Sequence, residues 1–257
     1  MASASWYEGT EAVASSSKAY LGHAKTAEAL LFEGLEWVNG NLGETYPDPK
    51  KEGKVRRRLF VQDTPEAFEV SIPGSKFDLR GLNEGDGIRV KGEFDADKRF
   101  HIYLIERRDG ATRWDALPEK VAVVDHVNKE KKVVHFLFGR DSDGLVAFSQ
   151  LTKPVEEGDA VAVRRARVFG KDGVRSRIVS VAKTDQMPSA SIRKSFEEAV
   201  RVQSGMGFTD GDIFIPPPLV SRHRVQDGDV LIGIAVLSFN KKRLTWGWKA
   251  VSLEVQR

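Results

Sequence analysis

The 257-residue sequence contains no cysteine, which excludes a disulfide framework, thiolate metal ligation and a cysteine nucleophile. Histidine is scarce as well: His23, His101, His126, His135 and His223 fall at no ligand-like spacing, so no metal site is expected. No apolar run approaches the ~18 residues that would cross a membrane, and no charged-then-apolar leader is visible, so a cytoplasmic protein with no membrane contact is expected. The sequence also lacks a Gly-x-Ser-x-Gly elbow, a Gly-Lys-Ser/Thr phosphate loop and a His-Glu pair at helical spacing. No enzyme, no catalytic residue and no cofactor is therefore expected. The carboxylates Asp210, Asp212, Asp227 and Asp229 fall at turn positions, where Asp is favoured without any metal.

Charge of the two signs is unevenly spread along the chain. Residues 1–49 carry 2 Lys/Arg and 7 Asp/Glu, against 40 and 37 in the whole chain, so the entire positive excess lies beyond residue 49. Such a distribution suits a polyanionic partner, and it equally suits small domains kept soluble by surface charge.

What is present is a repeated grammar. Gly85-Asp86, Gly158-Asp159 and Gly228-Asp229 each precede an alternating apolar run, a polar tetrapeptide and a second alternating run. The tetrapeptides begin at Asp95, Gly170 and Asn240, and a leucine lies upstream each time, at Leu79, Leu151 and Leu219. A recurrence at roughly 70 residues suits small barrel domains rather than a solenoid. The fold class expected is all-β, with tandem small barrels of the oligonucleotide/oligosaccharide-binding (OB) type and an N-terminal α-helical segment.

In chain order, residues 18–38 carry an apolar stripe at helical spacing, stopped by Gly40-Asn41-Leu42-Gly43. Residues 1–49 are thus assigned to a helical segment and linker. The first module spans 50–110, with four legible strands and Arg56-Arg57-Arg58 as its densest basic run. That run reads either as a phosphate-contacting strip or as a charged edge strand that resists mispairing. Trp114, in a polar linker, reads as a structural anchor. The second module spans 119–183 with five strands, and the third 196–257. Within the third, Asp210-Gly211 between alternating apolar residues predicts a two-residue hairpin with positive φ at both positions, followed by a proline-stiffened exit.

Two stretches resemble cold-shock domains. The run from Val124 to Leu137, a strand ending in Asn128, a turn with Lys132 and an alternating strand, is similar to that family's opening, and Asp143 to Leu151 to its next strand. Gly205-Met206-Gly207-Phe208 and Asp212-Ile213-Phe214-Ile215-Pro216 resemble the Gly-Phe-Gly-Phe and Asp-Val-Phe-Val-His strands, with Met206 and Pro216 as departures. They are also similar to the cold-shock-type modules of Rho and of ribonuclease II proteins. The resemblance implies a barrel that stacks bases on outward aromatics. By its phase Val134, Phe136, Leu145 and Ala147 face outward in the second module, Phe148 inward, and His126 stands where the family has a tryptophan. In the third module Met206, Phe208 and Phe214 share an outward face, with Gly205 and Gly207 leaving the backbone open to a base.

Trp246 and Trp248 share one strand face beside Lys249, after the basic turn Lys241-Lys242-Arg243; the pair reads as a stacking surface or as a patch buried against a neighbour. The expected partner is single-stranded RNA or DNA, RNA before DNA. The alternative is a scaffold whose modules hold protein partners.

Overall fold

A computed structural model describes residues 32–170, 173–240 and 242–256. The chain forms two compact units, Met1–Leu117 and Pro118–Arg257. No helix among the described residues is long and apolar enough to cross a membrane.

In the first unit, β1 (Val38–Pro47), β2 (Val55–Asp63), β3 (Glu66–Pro73), β4 (Gly87–Phe94) and β5 (Phe100–Arg107) lie in the order β5-β4-β1-β2-β3. All five strands are antiparallel to their neighbours. They bury Leu42, Leu59, Val61, Phe68, Ile88, Val90 and Ile102 in one core. The helix expected over 18–38 lies outside the described residues as far as residue 31; beyond that a turn leads directly into β1.

The segment from Gly40 to Tyr46, expected to stop a helix and link to a barrel, is instead the central strand β1, so this module has five strands rather than four. The residues that read as breakers are there for close approach. A Cβ on Gly40 would lie 2.8 Å from Phe60 O, and one on Gly43 2.8 Å from Arg58 Cβ. Asn41 is fully buried; its amide donates to Gly85 O (3.0 Å) and Asp115 Oδ1 (3.3 Å), and its Oδ1 accepts the Ala116 N–H (2.9 Å). A polar side chain so far from water is stable only because both its ends are bonded. Trp114 is buried beside it, edge-on to Phe60 at 5.8 Å.

The second unit holds ten strands among its described residues. In its first half β6 (Glu119–Asn128), β7 (Val133–Gly139), β8 (Ser142–Ala147), β9 (Ala160–Gly170) and β10 (Gly173–Lys183) lie in the order β10-β9-β6-β7-β8, and a parallel bridge from Leu151 to Val181 joins the two ends. In its second half β11 (Arg193–Gln203), β12 (Met206–Thr209), β13 (Ile213–Ile215), β14 (Val230–Asn240) and β15 (Thr245–Gln256) form a closed barrel, β11-β12-β13-β15-β14, with β13 and β15 parallel. The three sets of five strands thus share one order, that of the OB barrel.

The Gly-Asp turns explain the repeat. Each glycine has a left-handed backbone, φ +91° at Gly85, +94° at Gly158 and +85° at Gly228, which costs glycine little and any other residue more. Each turn is tied to the first strand of its own module by the same pair of bonds. Gly85 N donates to Leu42 O while Leu42 N donates to Asp86 O; Val124 serves Gly158-Asp159 in this way, and Val200 serves Gly228-Asp229, all at 2.7 to 2.9 Å. The Asp carboxylates accept the N–H of Asn83, Glu156 and Gln226, three residues upstream, each at 2.8 Å.

Two local expectations change. The β12–β13 connection has three residues, Asp210-Gly211-Asp212, and the left-handed one is Asp212 (φ +59°) rather than Asp210 and Gly211. Glu198 selects this turn by accepting Gly211 N–H at 2.8 Å. The proline-stiffened exit is a short helix, α1 (Pro217–His223), with prolines in its first turn, where a missing N–H costs nothing.

Candidate nucleic-acid interface

Phe208 on β12 and Phe214 on β13 are directly paired across the antiparallel ladder, with ring centroids 5.6 Å apart and planes tilted by 42°. Phe208 is 36% exposed and Phe214 half-buried, so the rings form a surface rather than a core. Met206, half-buried, begins the same strand. The intervening Gly207 does not open the backbone to a base as expected: it faces inward, where a Cβ would meet Ile215 Cβ and Val200 Cγ2 at 2.9 Å. It is a packing glycine. Gly205, with φ +75° and nothing within 4 Å of a Cβ, is the open one.

Arg201, which sequence reasoning passed over, lies opposite Phe208 in the β11–β12 register. Its guanidinium pairs with Asp210 at 3.4 Å, with both side chains more than three-quarters exposed. An ion pair that open is worth little and exchanges readily for a phosphate. Strand register is the signal that finds it, and register is not visible in a list of basic runs.

The tryptophans take the second of their two readings. Trp246 and Trp248 are half-buried against the cluster of Val123, Leu137, Ile192, Val236 and Leu237, where the two halves of the second unit meet. Trp248 carries the Lys194 amine at 4.8 Å over its ring, and Trp246 packs on Phe239 at 5.2 Å. Lys249 is not free for phosphate: its Nζ donates to Asp125 O and Glu157 Oε2, both at 2.9 Å. Burial pushes the Glu157 carboxyl up, but the Lys249 amine, His126 and the Val127 N–H together outweigh it and hold the group below its ordinary value. Lys242 and Arg243 are exposed in a turn whose N–H groups Asn240 Oδ1 accepts at 3.0 and 3.1 Å; Lys241 lies outside the described residues.

On β7 the expected phase is reversed, while β8 keeps it. Phe136 is fully buried, with Val134, in the core formed by Ala122, Val124, Val146, Val161 and Val163. A Cβ on Gly144, opposite it, would lie 2.5 Å from the ring. Phe136 is therefore no stacking residue. Phe148, half-buried, packs against that core, and Leu145 does face outward at 59% exposure. Lys132 is exposed with a left-handed backbone, φ +52°. His126 is exposed and its Nδ1 lies 3.0 Å from Glu157 Oε1. The outward residue between Val134 and Phe136 is His135, set between Asp125 Oδ1 (2.5 Å) and Asp143 Oδ2 (2.8 Å). The bond to Asp125 pushes its pKa up to about 9; burial opposes this and Asp143 adds to it.

The triple arginine run is not on an edge strand, since β2 lies between β1 and β3, and its guanidiniums are engaged within the module. Arg56 bonds Ser71, Arg57 bonds Gly43 O and Leu82 O, and Arg58 pairs with Glu44 and with Glu69 (3.0 Å) while lying over the Tyr46 ring.

The strand order and the aromatic pair on β12 and β13 define a protein of tandem OB-type β modules. Residues 114–178 match the family described as S1/CSD-like domain 1 of the TOTE conflict systems, and residues 194–253 match S1/CSD-like domain 2 of the same systems. The chain thus carries two S1/CSD-like domains in tandem, a nucleic-acid-binding fold whose domains are typically non-catalytic binding modules. No curated protein matches the chain. Among solved structures it is similar to drosophila Unr CSD456, at 12% identity over 86% of this chain and 98% of that one, with a TM-score of 0.26. It is also similar to the p204 HINb domain, at 12% identity over 58% of this chain and 96% of that one, with a TM-score of 0.27.

Proposed function

We propose that this chain binds single-stranded nucleic acid, RNA before DNA, without catalysing a reaction, and that the third module (196–257) makes the principal contact. The observation that carries the reading is the Phe208–Phe214 pair, one ring exposed and the other half-buried, on adjacent strands of a closed OB barrel. That face is where such barrels receive bases, each stacked base being worth about 1 to 3 kcal/mol. Arg201, Lys242 and Arg243 supply exposed positive charge for phosphates. Met206 extends the apolar surface along β12.

The test is direct titration of single-stranded RNA, single-stranded DNA and duplex with parent and Phe208→Ala protein. The variant loses about 1 to 3 kcal/mol of single-strand affinity. Its melting curve stays close to the parent's, because a ring this exposed contributes little to folding. Parent affinity falls as salt rises, since bound phosphates release counterions. Single-strand affinity that Phe208→Ala leaves untouched, or no binding at micromolar protein, refutes the reading and favours a scaffold for protein partners.

A further inference from the structure

The second unit also contains a cleft of about 870 Å3 with walls from both of its modules. Val127, Phe148, Leu151 and Val155 come from the second module, Arg222 of α1 and Val251 of β15 from the third. The volume falls within the range of sites that enclose organic ligands, about 300 to 1,000 Å3.

The two walls are fixed relative to one another. Lys249 bonds Glu157, which itself lines the cleft, and Arg193 Nε donates to Gly158 O at 3.2 Å. Val251 packs so closely on Gly158 that a Cβ there would lie 2.6 Å from its Cγ2.

The cleft combines apolar side chains with three cations and two carboxylates. Its floor offers the Phe148 ring among aliphatic side chains, and its rim carries Lys129, Lys153 and Arg222. All three cations are exposed, and none makes an ion pair among the described residues. Glu156, also on the wall, presents a carboxylate able to accept from a base amino group. A polymer with a flat apolar group and an anion in every repeat unit complements this arrangement. One strand, β15, borders both the proposed binding face and the cleft. Phe214 pairs with Lys249 along the parallel β13–β15 ladder, and β15 runs on to Val251 in the cleft wall.

We propose that the cleft is a second contact for the same single strand. Bases enter against Phe148 while phosphates lie on Lys129, Lys153 and Arg222, so that both modules of the second unit hold one strand. This rests on the single-strand reading above and adds to it a contact that the Phe208–Phe214 face does not supply.

The test uses the full chain and fluorescently labelled oligouridylates of roughly 4, 8 and 12 nucleotides, which start at the lower limit of about 4 nucleotides for one OB fold and extend to three times that. Lys153→Ser combined with Arg222→Ser changes two exposed side chains and preserves the fold. For the longest strand the double variant loses roughly tenfold in affinity, the worth of about one charge-assisted hydrogen bond. Its salt dependence becomes shallower by about 1.4 in log K against log salt, two phosphates at 0.7 each. The shortest strand, held on the aromatic face, binds as it does to the parent. Equal losses at all lengths would overturn the proposal, because the cations would then act only through general charge. So would parental affinity and slope at every length; if Phe208→Ala still weakened binding in that case, the face reading would stand without the cleft. A parent that binds no length overturns both.

Discussion

Replacing Lys249 with Met keeps the length of the side chain and removes its charge where the two modules of the second unit meet. The Nζ makes two bonds at 2.9 Å, to Asp125 O and to Glu157 Oε2, and the amine and carboxylate are only 20% and 32% exposed. Hydrogen bonds that involve a charged partner contribute about 1.5 to 3 kcal/mol each, and residual solvent access brings the pair to about 2 kcal/mol in total. At about 2 to 4 °C per kcal/mol for a unit of this size, Tm falls by roughly 4 to 8 °C at pH 7. The pH dependence gives a second handle. Glu157 is held below its ordinary 4.5, so its ionised form stabilises the fold above that pH, and the contribution disappears as pH falls through the lowered value. The gap between parent and Lys249→Met is therefore full at pH 7 and narrows below about pH 4.5. Calorimetry at both ends of that range measures it. A Tm within a degree of the parent at pH 7, or a gap that does not narrow in acid, refutes the account.

Three further outcomes follow from the geometry. His135, pushed up to about 9 from 6.5, stabilises the fold fully below pH 6.5 and loses that contribution as pH rises through 9. Denaturant melts of the parent weaken by about 1 to 2 kcal/mol across that window after allowance for partial exposure, and His135→Asn removes the slope. Asn41→Ala orphans the Ala116 N–H in a fully buried place, removes one bond each from Gly85 O, which keeps the Trp114 N–H, and from Asp115, and costs about 1 to 3 kcal/mol; a loss below 0.5 kcal/mol counts against the bonding described. We propose module breaks near 107–119 and 184–196. Limited proteolysis cuts beside Met187, which is 76% exposed, and the two fragments from the second unit co-elute on gel filtration; one resistant fragment spanning both breaks is the contrary result.

The tandem OB-type modules, the recurrent Gly-Asp turn and the Phe208–Phe214 pair are legible in the sequence because each depends on local spacing. What escapes it depends on partners distant in the chain. β1 reads as a helix stop because Gly40, Asn41 and Gly43 are punctuation in isolation. Their role is to admit Phe60 O and Arg58, and to bond Ala116, 75 residues away. The phase of β7 is illegible for another reason. Val134 and Phe136 fill their own core while Leu137 packs toward the third module, so apolar residues occupy both parities and alternation carries no direction. Trp246 and Trp248 mislead in the same way. A large aromatic on the outer face of a barrel has the same sequence pattern whether it meets a base or a neighbouring module. Only His135, polar among apolar neighbours, marks the open side of β7.

The three Gly-Asp turns have the same backbone, yet they are not equally free to vary. At Gly85 an added methyl would meet Arg113 Cγ at 2.4 Å, and at Gly158 it would meet Val251 Cγ2 at 2.6 Å, whereas at Gly228 nothing lies within 4 Å. All three positions carry the same conformational preference for glycine, and Gly158 carries a steric veto besides, since the β-branched Val251 is stiff whereas the exposed Arg113 side chain at Gly85 can swing aside. Homologous modules in such an array would therefore diverge at unequal rates. The first and third turns are open to Asn or Asp, which tolerate left-handed backbone, while the second stays fixed by what rests on it. Substitution records across such modules would then register which turns are covered, not only which turns are tight.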